Sequence, residues 1–288
     1  MSAIIIDGKA VAARLREGIA RDVAAMTAQG SRAPGLAVVL CGDNAASAIY
    51  VRNKGRAAEK VGFRFQLQTC EADTSTADLL RLVAGLNTDE AVDGLLVQLP
   101  LPSHVDPDVI ADAIAPDKDA DGFNPANFGR LAEGRAAPAG ATPLGCMELL
   151  RSYDVPISGS RAVVVGRSLL VGRPLALLLT NADATVTVCH SRTRDLPGVC
   201  READILVTAT GRPGAIDAGY VKPGACVIDV GTTPRDGTVV GDVDRESVEP
   251  VAGWLTPVPG GVGPMTIAML LRNTLSLATA RRRSTVVV

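Results

Sequence analysis

Apolar residues in this chain gather into short unbroken runs, and between the runs they recur with the period of a helix. "LAVVLCG" (36–42) and "DGLLVQLP" (93–100) are apolar without alternation, as strands buried on both faces are. "FRFQLQT" is a weaker strand between them. A helix is predicted over about 45–61 with Gly62 as its stop, and "STADLLRLVAGLN", apolar at 79, 80, 82, 83 and 86, predicts another. "DPDVIADAIAP" is a short third helix. From about 115 to 141 no period is sustained and Gly and Pro recur, which predicts a functional loop or linker.

The alternation then resumes. Thr142-Pro143 reads as an N-cap with proline at the first helical position, opening "LGCMELLRSYDV". "RAVVVG", "ATVTVCH", "ADILVTATG" and "ACVIDVG" read as strands, and "GRPLALLLT" as a helix. From Met265 to about Arg281 one face carries Ile267, Leu270, Leu271, Thr274, Leu275 and Ala278, a long amphipathic helix that needs a packing partner. The expected class is α/β, with mostly parallel sheets covered by helices. Two domains are expected in 288 residues. The first is residues 1–140 completed by 264–288, the second residues 141–263, with a cleft between them.

Composition narrows the function. Twenty-nine Lys and Arg against 31 Asp and Glu leave no electrostatic case for nucleic acid or an anionic membrane. At 3% aromatic the chain lacks stacking platforms for single strands. Its basic tail, "ARRRSTVVV", reads as a solvated helix end. Six scattered cysteines without a Cys-x-x-Cys pair, and only two histidines, give no metal site to expect. Cysteines within apolar runs read as reduced core thiols, which points to the cytoplasm. The apolar start of "MSAIIIDGKAVAARL" is broken by Asp7 and Lys9, so neither a signal peptide nor a membrane span is expected.

"VVVGRSLLVGRPLALLL" has the strand, glycine turn and helix of a Rossmann phosphate loop, spaced Gly166-x-Ser168-x-x-x-Gly172. Gly166 allows the tight turn, and amides at the helix start would face a pyrophosphate. A plain glycine-containing turn is the alternative, since the second glycine of the fingerprint is missing. NAD sites place a carboxylate about 20 residues on. Here that strand ends in Ser191 and Arg192, which together with Arg167 favours a 2′-phosphate and hence NADP.

Tyr50 and Lys54 share one helix face that continues through Ala57, Ala58 and Val61, while Arg52, Arg56, Glu59 and Lys60 occupy the opposite face. The pair is therefore expected to point inward, where a lysine suits general-base work. Short-chain dehydrogenases use a Tyr-x-x-x-Lys pair, but theirs follows the nucleotide loop. This one precedes the loop by more than a hundred residues.

Over nearly its whole length the chain resembles the bifunctional methylenetetrahydrofolate dehydrogenase/cyclohydrolase family. The resemblance rests on "YVRNKGRAAEKVG", "DGLLVQLPLP", "PDKDADGFNPANFGRL", "VVVGRSLLVGRPLALLL", "DILVTATGRPG", "VKPGACVIDVG", "GDVD" and "TPVPGGVGPMTIAMLLRNT". It implies oxidation of 5,10-methylene-tetrahydrofolate by NADP⁺, then hydrolysis of the methenyl product to 10-formyl-tetrahydrofolate. The implied catalytic group is Lys54 with Tyr50, Gln98 and Asp121, the last anchoring the pterin. Substrate contacts would come from Tyr50, Val97, Gln98, Leu99, Asp121, Pro259, Gly260, Gly261 and Gly263. Cofactor contacts would come from Gly166, Arg167, Ser168, Gly172, Ser191, Thr232 and Thr266. A homodimer is also implied.

Two departures stand out. Ala141 replaces the family's cysteine, and Thr232-Thr233 replaces Ile-Asn after "DVG", which bears on cofactor preference. A monofunctional NADP-dependent dehydrogenase and a non-catalytic nucleotide sensor are the competing functions. Retention of Lys54, Gln98 and Asp121 together argues against the sensor.

Overall fold

The computed structural model describes residues 2–235 and 237–285; the last residues of the basic tail, 286–288, lie outside them. The chain divides into two compact units, Met1–Ala13 with Gly140–Met269, and Arg14–Ala139 with Leu270–Val288.

The second of these is built on a three-stranded parallel sheet, with Gly35–Cys41 between Arg64–Cys70 and Gly94–Val97. Every residue of Gly35–Cys41 is buried, as its unbroken apolar run requires. Ala37, Val39, Leu79, Val83, Leu95 and Ile110 form the core between this sheet and the helices Thr76–Thr88 and Pro107–Ala113. Helix Ala45–Lys60 starts at Asn44, whose side chain accepts from the Ser47 N–H, and the chain turns out of it at Gly62 with φ +86°. A Cβ on Gly55 would meet the Phe65 ring at 2.6 Å, so glycine lets this helix lie close against its sheet.

The same unit holds a buried charge cluster. Asp93, wholly buried, takes a bidentate pair of bonds from Arg32 at 2.6 and 2.8 Å and a third from the Gly35 N–H at 2.9 Å. Arg282, near the end of helix Val262–Thr285, adds a 3.3 Å bond to it. One carboxylate thus ties the entry of the central strand to the C-terminal helix.

The other unit is a six-stranded parallel sheet in the order Ile4–Ile5, Trp254–Leu255, Cys226–Asp229, Ile205–Thr208, Arg161–Val165, Thr185–Cys189. Val163, Val165, Leu206, Val227 and Leu255 lead its core. A hairpin, Thr233–Arg235 with Thr238–Val240, stands apart from the sheet.

Some features differ from the sequence expectation. Residues 1–13 fall with the six-stranded sheet rather than with residues 14–139, because Ile4 and Ile5 pair with Trp254 and Leu255. The C-terminal helix divides between the units at Met269 and Leu270. Gly8–Ala28 is a helix the hydrophobic pattern did not announce, and Pro125–Ala132, capped by Asn124, lies inside the stretch expected to lack structure. The expected cap at Thr142 is not one: helix Ala141–Ser152 begins after Gly140, with no side-chain cap. The Thr142 hydroxyl instead lies 3.0 Å from that of Thr266.

Removing one partner of a buried, bonded ion pair costs roughly 3–5 kcal/mol. Asp93→Ala is therefore expected to lower the unfolding free energy by an amount in that range, read as a lower urea midpoint at unchanged m-value. A loss below about 1 kcal/mol, the ordinary worth of an exposed ion pair, would show that Asp93 does not hold the unit together.

Candidate active site

Lys54 lies on the inward face of helix Ala45–Lys60 and is 6% exposed, whereas Arg52, Arg56, Glu59 and Lys60 are exposed as the helical phase predicts. Its ammonium group donates to Gln98 Oε1 at 3.0 Å. Gln98 stands just beyond strand Gly94–Val97, where its N–H donates to Val39 O and its Nε2 donates to Leu99 O at 2.7 Å. That second bond occupies the amide NH₂ and leaves the amide oxygen toward the lysine. Val97 and Leu99 flank it, each half-buried.

Tyr50 departs from expectation. It is 47% exposed rather than turned into the core, and the Lys54 nitrogen lies 5.8 Å from the centre of its ring. A half-open aromatic face beside a cation suits a flat ligand better than it suits packing.

Asp121 is delivered to the same cluster by a built loop. Leu95 N–H donates to Lys118 O at 2.7 Å and Ala120 N–H returns a bond to Leu95 O, so residues 118–120 extend the sheet edge. Lys118, wholly buried, donates to Leu86 O and Asp89 O at the end of helix Thr76–Thr88. Asp119 accepts from the N–H groups of Gly122, Phe123 and Asn124 and from Asn127 Nδ2, all within 3.2 Å. Asn273 donates to Ala120 O and Ala139 O. Gly122, at φ +70°, has no room for a Cβ against the Ala139 backbone.

The loop-capping role that an Asp before Gly often plays therefore belongs to Asp119. Asp121 stays outside that network. Part of its surface is open, yet the protein crowds round it: burial pushes its carboxyl up, the Lys54 charge pulls it back, and Asp119 pushes it further up. A cavity of about 30 Å³, room for a single water, opens beside Val97, Leu99, Asp119, Asp121 and Phe123.

The six-stranded unit carries the nucleotide candidates. Gly166 follows strand Arg161–Val165 at φ +135°, where a Cβ would run into Ala209 O. Gly172 opens helix Gly172–Thr180 and is buried, with no space for a side chain against Gly166 and Arg167. Ser168 Oγ accepts from Val171 N–H at 3.2 Å and, at 3.5 Å, from Gly172 N–H. Arg167, Ser168, Ser191, Arg192 and Thr232 are exposed. A backbone stripped of Cβ atoms at a helix start, flanked by exposed basic and hydroxyl groups, fits a dinucleotide phosphate.

The turn Pro257–Gly261 closes with Gly261 N–H donating to Pro257 O at 2.7 Å. Gly260, at φ +112°, and Gly261, whose Cβ would press on Thr256 and Pro257, need to be glycine. Gly263 has open space where a Cβ would stand, so nothing in its described surroundings demands glycine there. Pro259 is exposed. The structure thus gathers Lys54, Gln98, Asp121 and Tyr50 in one unit, and places Gly166–Gly172, Ser191, Thr232, Pro259–Gly263 and Thr266 in the other. Sequence reasoning missed the support: Lys118 and Asp119 showed there only as polar residues without a period, and Asn273 only as a polar position of the C-terminal helix.

Among known proteins, a family model described as "Tetrahydrofolate dehydrogenase/cyclohydrolase, catalytic domain" matches residues 6–121, and one described as "Tetrahydrofolate dehydrogenase/cyclohydrolase, NAD(P)-binding domain" matches residues 140–282. The bifunctional protein FolD of Koribacter versatilis is 51% identical, the match covering 99% of this chain and all of that protein. The crystal structure of the bifunctional FolD methylenetetrahydrofolate dehydrogenase/cyclohydrolase from Campylobacter jejuni superposes with a TM-score of 0.95 at 43% identity, over 97% of this chain and 100% of that one. That of the Trypanosoma brucei dehydrogenase-cyclohydrolase, complexed with NADP cofactor and inhibitor, gives 0.93 at 42% identity over 98% and 99%.

The raised Asp121 carboxyl carries a stability consequence. A group whose folded pKa lies above its unfolded value favours the fold while it is protonated, and loses that advantage as pH rises through the folded value. Asp121→Asn, which cannot ionise, is therefore expected to melt above wild type at pH 8, with the gap closing as pH falls to about 4, the ordinary carboxylate range. A variant less stable than wild type at pH 8, or a gap indifferent to pH, would contradict the strain assigned to Asp121.

Proposed function

The chain belongs to the tetrahydrofolate dehydrogenase/cyclohydrolase family, and from that membership and the Lys54 cluster we propose both of its activities here. The protein oxidises 5,10-methylene-tetrahydrofolate with NADP⁺ to the 5,10-methenyl form and hydrolyses that cation to 10-formyl-tetrahydrofolate. The observation that carries the second activity is the 3.0 Å bond between buried Lys54 and an amide whose orientation is set by Leu99 O.

In this reading Lys54 accepts a proton from the water that attacks the methenyl carbon. The role needs the amine unprotonated at that moment, and a cationic substrate beside it favours that form. Gln98 keeps the nitrogen in place. Asp121, an acceptor with no internal capping duty, takes the paired N–H donors on the amidine edge of the pterin. Tyr50 offers its open face to the folate ring system, with Val97 and Leu99 beside Gln98, and Pro259, Gly260, Gly261 and Gly263 give backbone that a ligand can approach closely.

Gly166, Arg167, Ser168 and Gly172 would hold the phosphates of NADP, Ser191 with neighbouring Arg192 its 2′-phosphate, and Thr232 and Thr266 its nicotinamide side. When bound, the nucleotide supplies the hydride acceptor. Hydride transfer asks no proton transfer of the protein, only orientation of the two reactants. We further propose a cytoplasmic homodimer. Six free thiols support the location, with burial pushing Cys146 and Cys200 up to about 12 and so keeping them unreactive.

Lys54→Met keeps the apolar stem and removes the base. Methenyl hydrolysis should fall by about 10²–10⁴-fold, the usual worth of general acid–base catalysis, while methylene oxidation survives at saturating substrate. Wild-type hydrolysis in that variant would remove Lys54 as the base. Wild-type enzyme that accumulates methenyl product without hastening its decay would leave the monofunctional dehydrogenase. Sedimentation equilibrium is expected to give close to twice the 29.7 kDa of one chain, and a single-chain mass at micromolar concentration would refute the dimer.

A further inference from the structure

Asp229 and Asp242 are buried carboxylates of the six-stranded unit that none of the proposed chemistry uses. We propose that Asp242, backed by Asp229, is a positioning residue for NADP: it holds the loop Ala209–Arg212 in the shape of one wall of the dinucleotide site. The inference rests on the NADP reading above.

The sheet order locates that wall. Strand Arg161–Val165 has its successor Thr185–Cys189 on one side and the next strand, Ile205–Thr208, on the other. The order reverses there, and open parallel sheets bind ligands at that point, outside the carboxyl ends of the strands. The two loops leaving those ends are Gly166–Gly172 and Ala209–Arg212. They touch: Ala209 N–H donates to Val165 O at 2.8 Å, and the Ala209 carbonyl fills the space a Gly166 side chain would take.

The second loop owes its shape to Asp242. Its carboxylate accepts from three successive N–H groups, Thr210 at 2.5 Å, Gly211 at 3.3 Å and Arg212 at 2.9 Å. Converging amides of this kind form a nest for an anion, and here the protein supplies the anion itself. Asp242 is held in turn, its N–H donating to Asp229 Oδ1 at 3.0 Å. Asp229 also accepts from the Thr208 hydroxyl and from the N–H groups of Gly231 and Val243. Gly231 and Gly241 lack side chains where the two carboxylates lie. The ends of two sheet strands and the loop between phosphate turn and solvent are thus wired in series through two aspartates.

Asparagine at 242 would set an NH₂ group against amide donors, and at least one loop N–H would lose its acceptor. Calorimetric titration with NADP⁺ is expected to show affinity for Asp242→Asn about tenfold or more below wild type, the scale of one buried donor left unmade. Methenyl hydrolysis without nucleotide should stay within about twofold, since Lys54 belongs to another unit. Wild type that fails to bind NADP⁺ defeats the reading on which this rests. Wild type that binds, with Asp242→Asn binding equally well, overturns the inference alone, as does a parallel loss of nucleotide-free hydrolysis, which marks general damage. Should Asp242→Asn not fold, Thr208→Val removes only the hydroxyl donated to Asp229. It is expected to weaken NADP⁺ binding by about threefold, the low end for one hydrogen bond, and an unchanged affinity overturns the proposal.

Discussion

A parallel strand that ends inside a protein leaves backbone N–H groups with no ladder partner, and each one buried without an acceptor costs free energy comparable to a lost hydrogen bond. Both parallel sheets of this protein meet that constraint with buried aspartates. Asp93 takes the N–H at the entry of strand Gly35–Cys41. Asp119 takes three N–H groups after the extension of Gly94–Val97. Asp229 and Asp242 between them take six beyond Ile205–Thr208 and Cys226–Asp229. A carboxylate is the apt device, because it is acceptor-only and offers about four lone-pair sites in one small group. Asp121 and Thr232 adjoin loops shaped this way, so their placement follows from satisfied amides, whereas Tyr50 and Lys54 stand on a helix placed by apolar packing.

That constraint explains what the sequence did and did not disclose. Strands of the buried kind were legible as unbroken apolar runs, and the inward turn of Lys54 was legible as helical phase, since both follow from burial with a fixed period. Helix Gly8–Ala28 was not, its apolar positions being diluted by alanines and charged residues. Helix Pro125–Ala132 hid among Gly and Pro because it needs only eight residues and an Asn124 cap. Thr142-Pro143 has the letters of a helix start, but the helix begins two residues earlier and the hydroxyl found Thr266. Tyr50 shares a face with Lys54, yet it sits one turn nearer the helix start, where that face meets solvent; spacing alone carries no information on how far the neighbouring surface extends.

The least legible distinction is between Asp119 and Asp121. The two carboxylates border one small cavity, while the Ala120 methyl packs where Gly94 leaves it room. Asp119 accepts four hydrogen bonds and shapes the loop, whereas the Asp121 carboxylate takes none of them and its ionised form is opposed by burial. No hydrogen bond among the described residues uses that second carboxylate, and on stability alone a neutral side chain would serve better. A strained polar group persists when its partner is a ligand rather than the protein, the usual exchange of stability for activity at a binding site. By that reasoning the number of internal acceptor bonds, more than the residue type or its neighbours in sequence, separates an aspartate that builds this protein from the one proposed to meet a substrate.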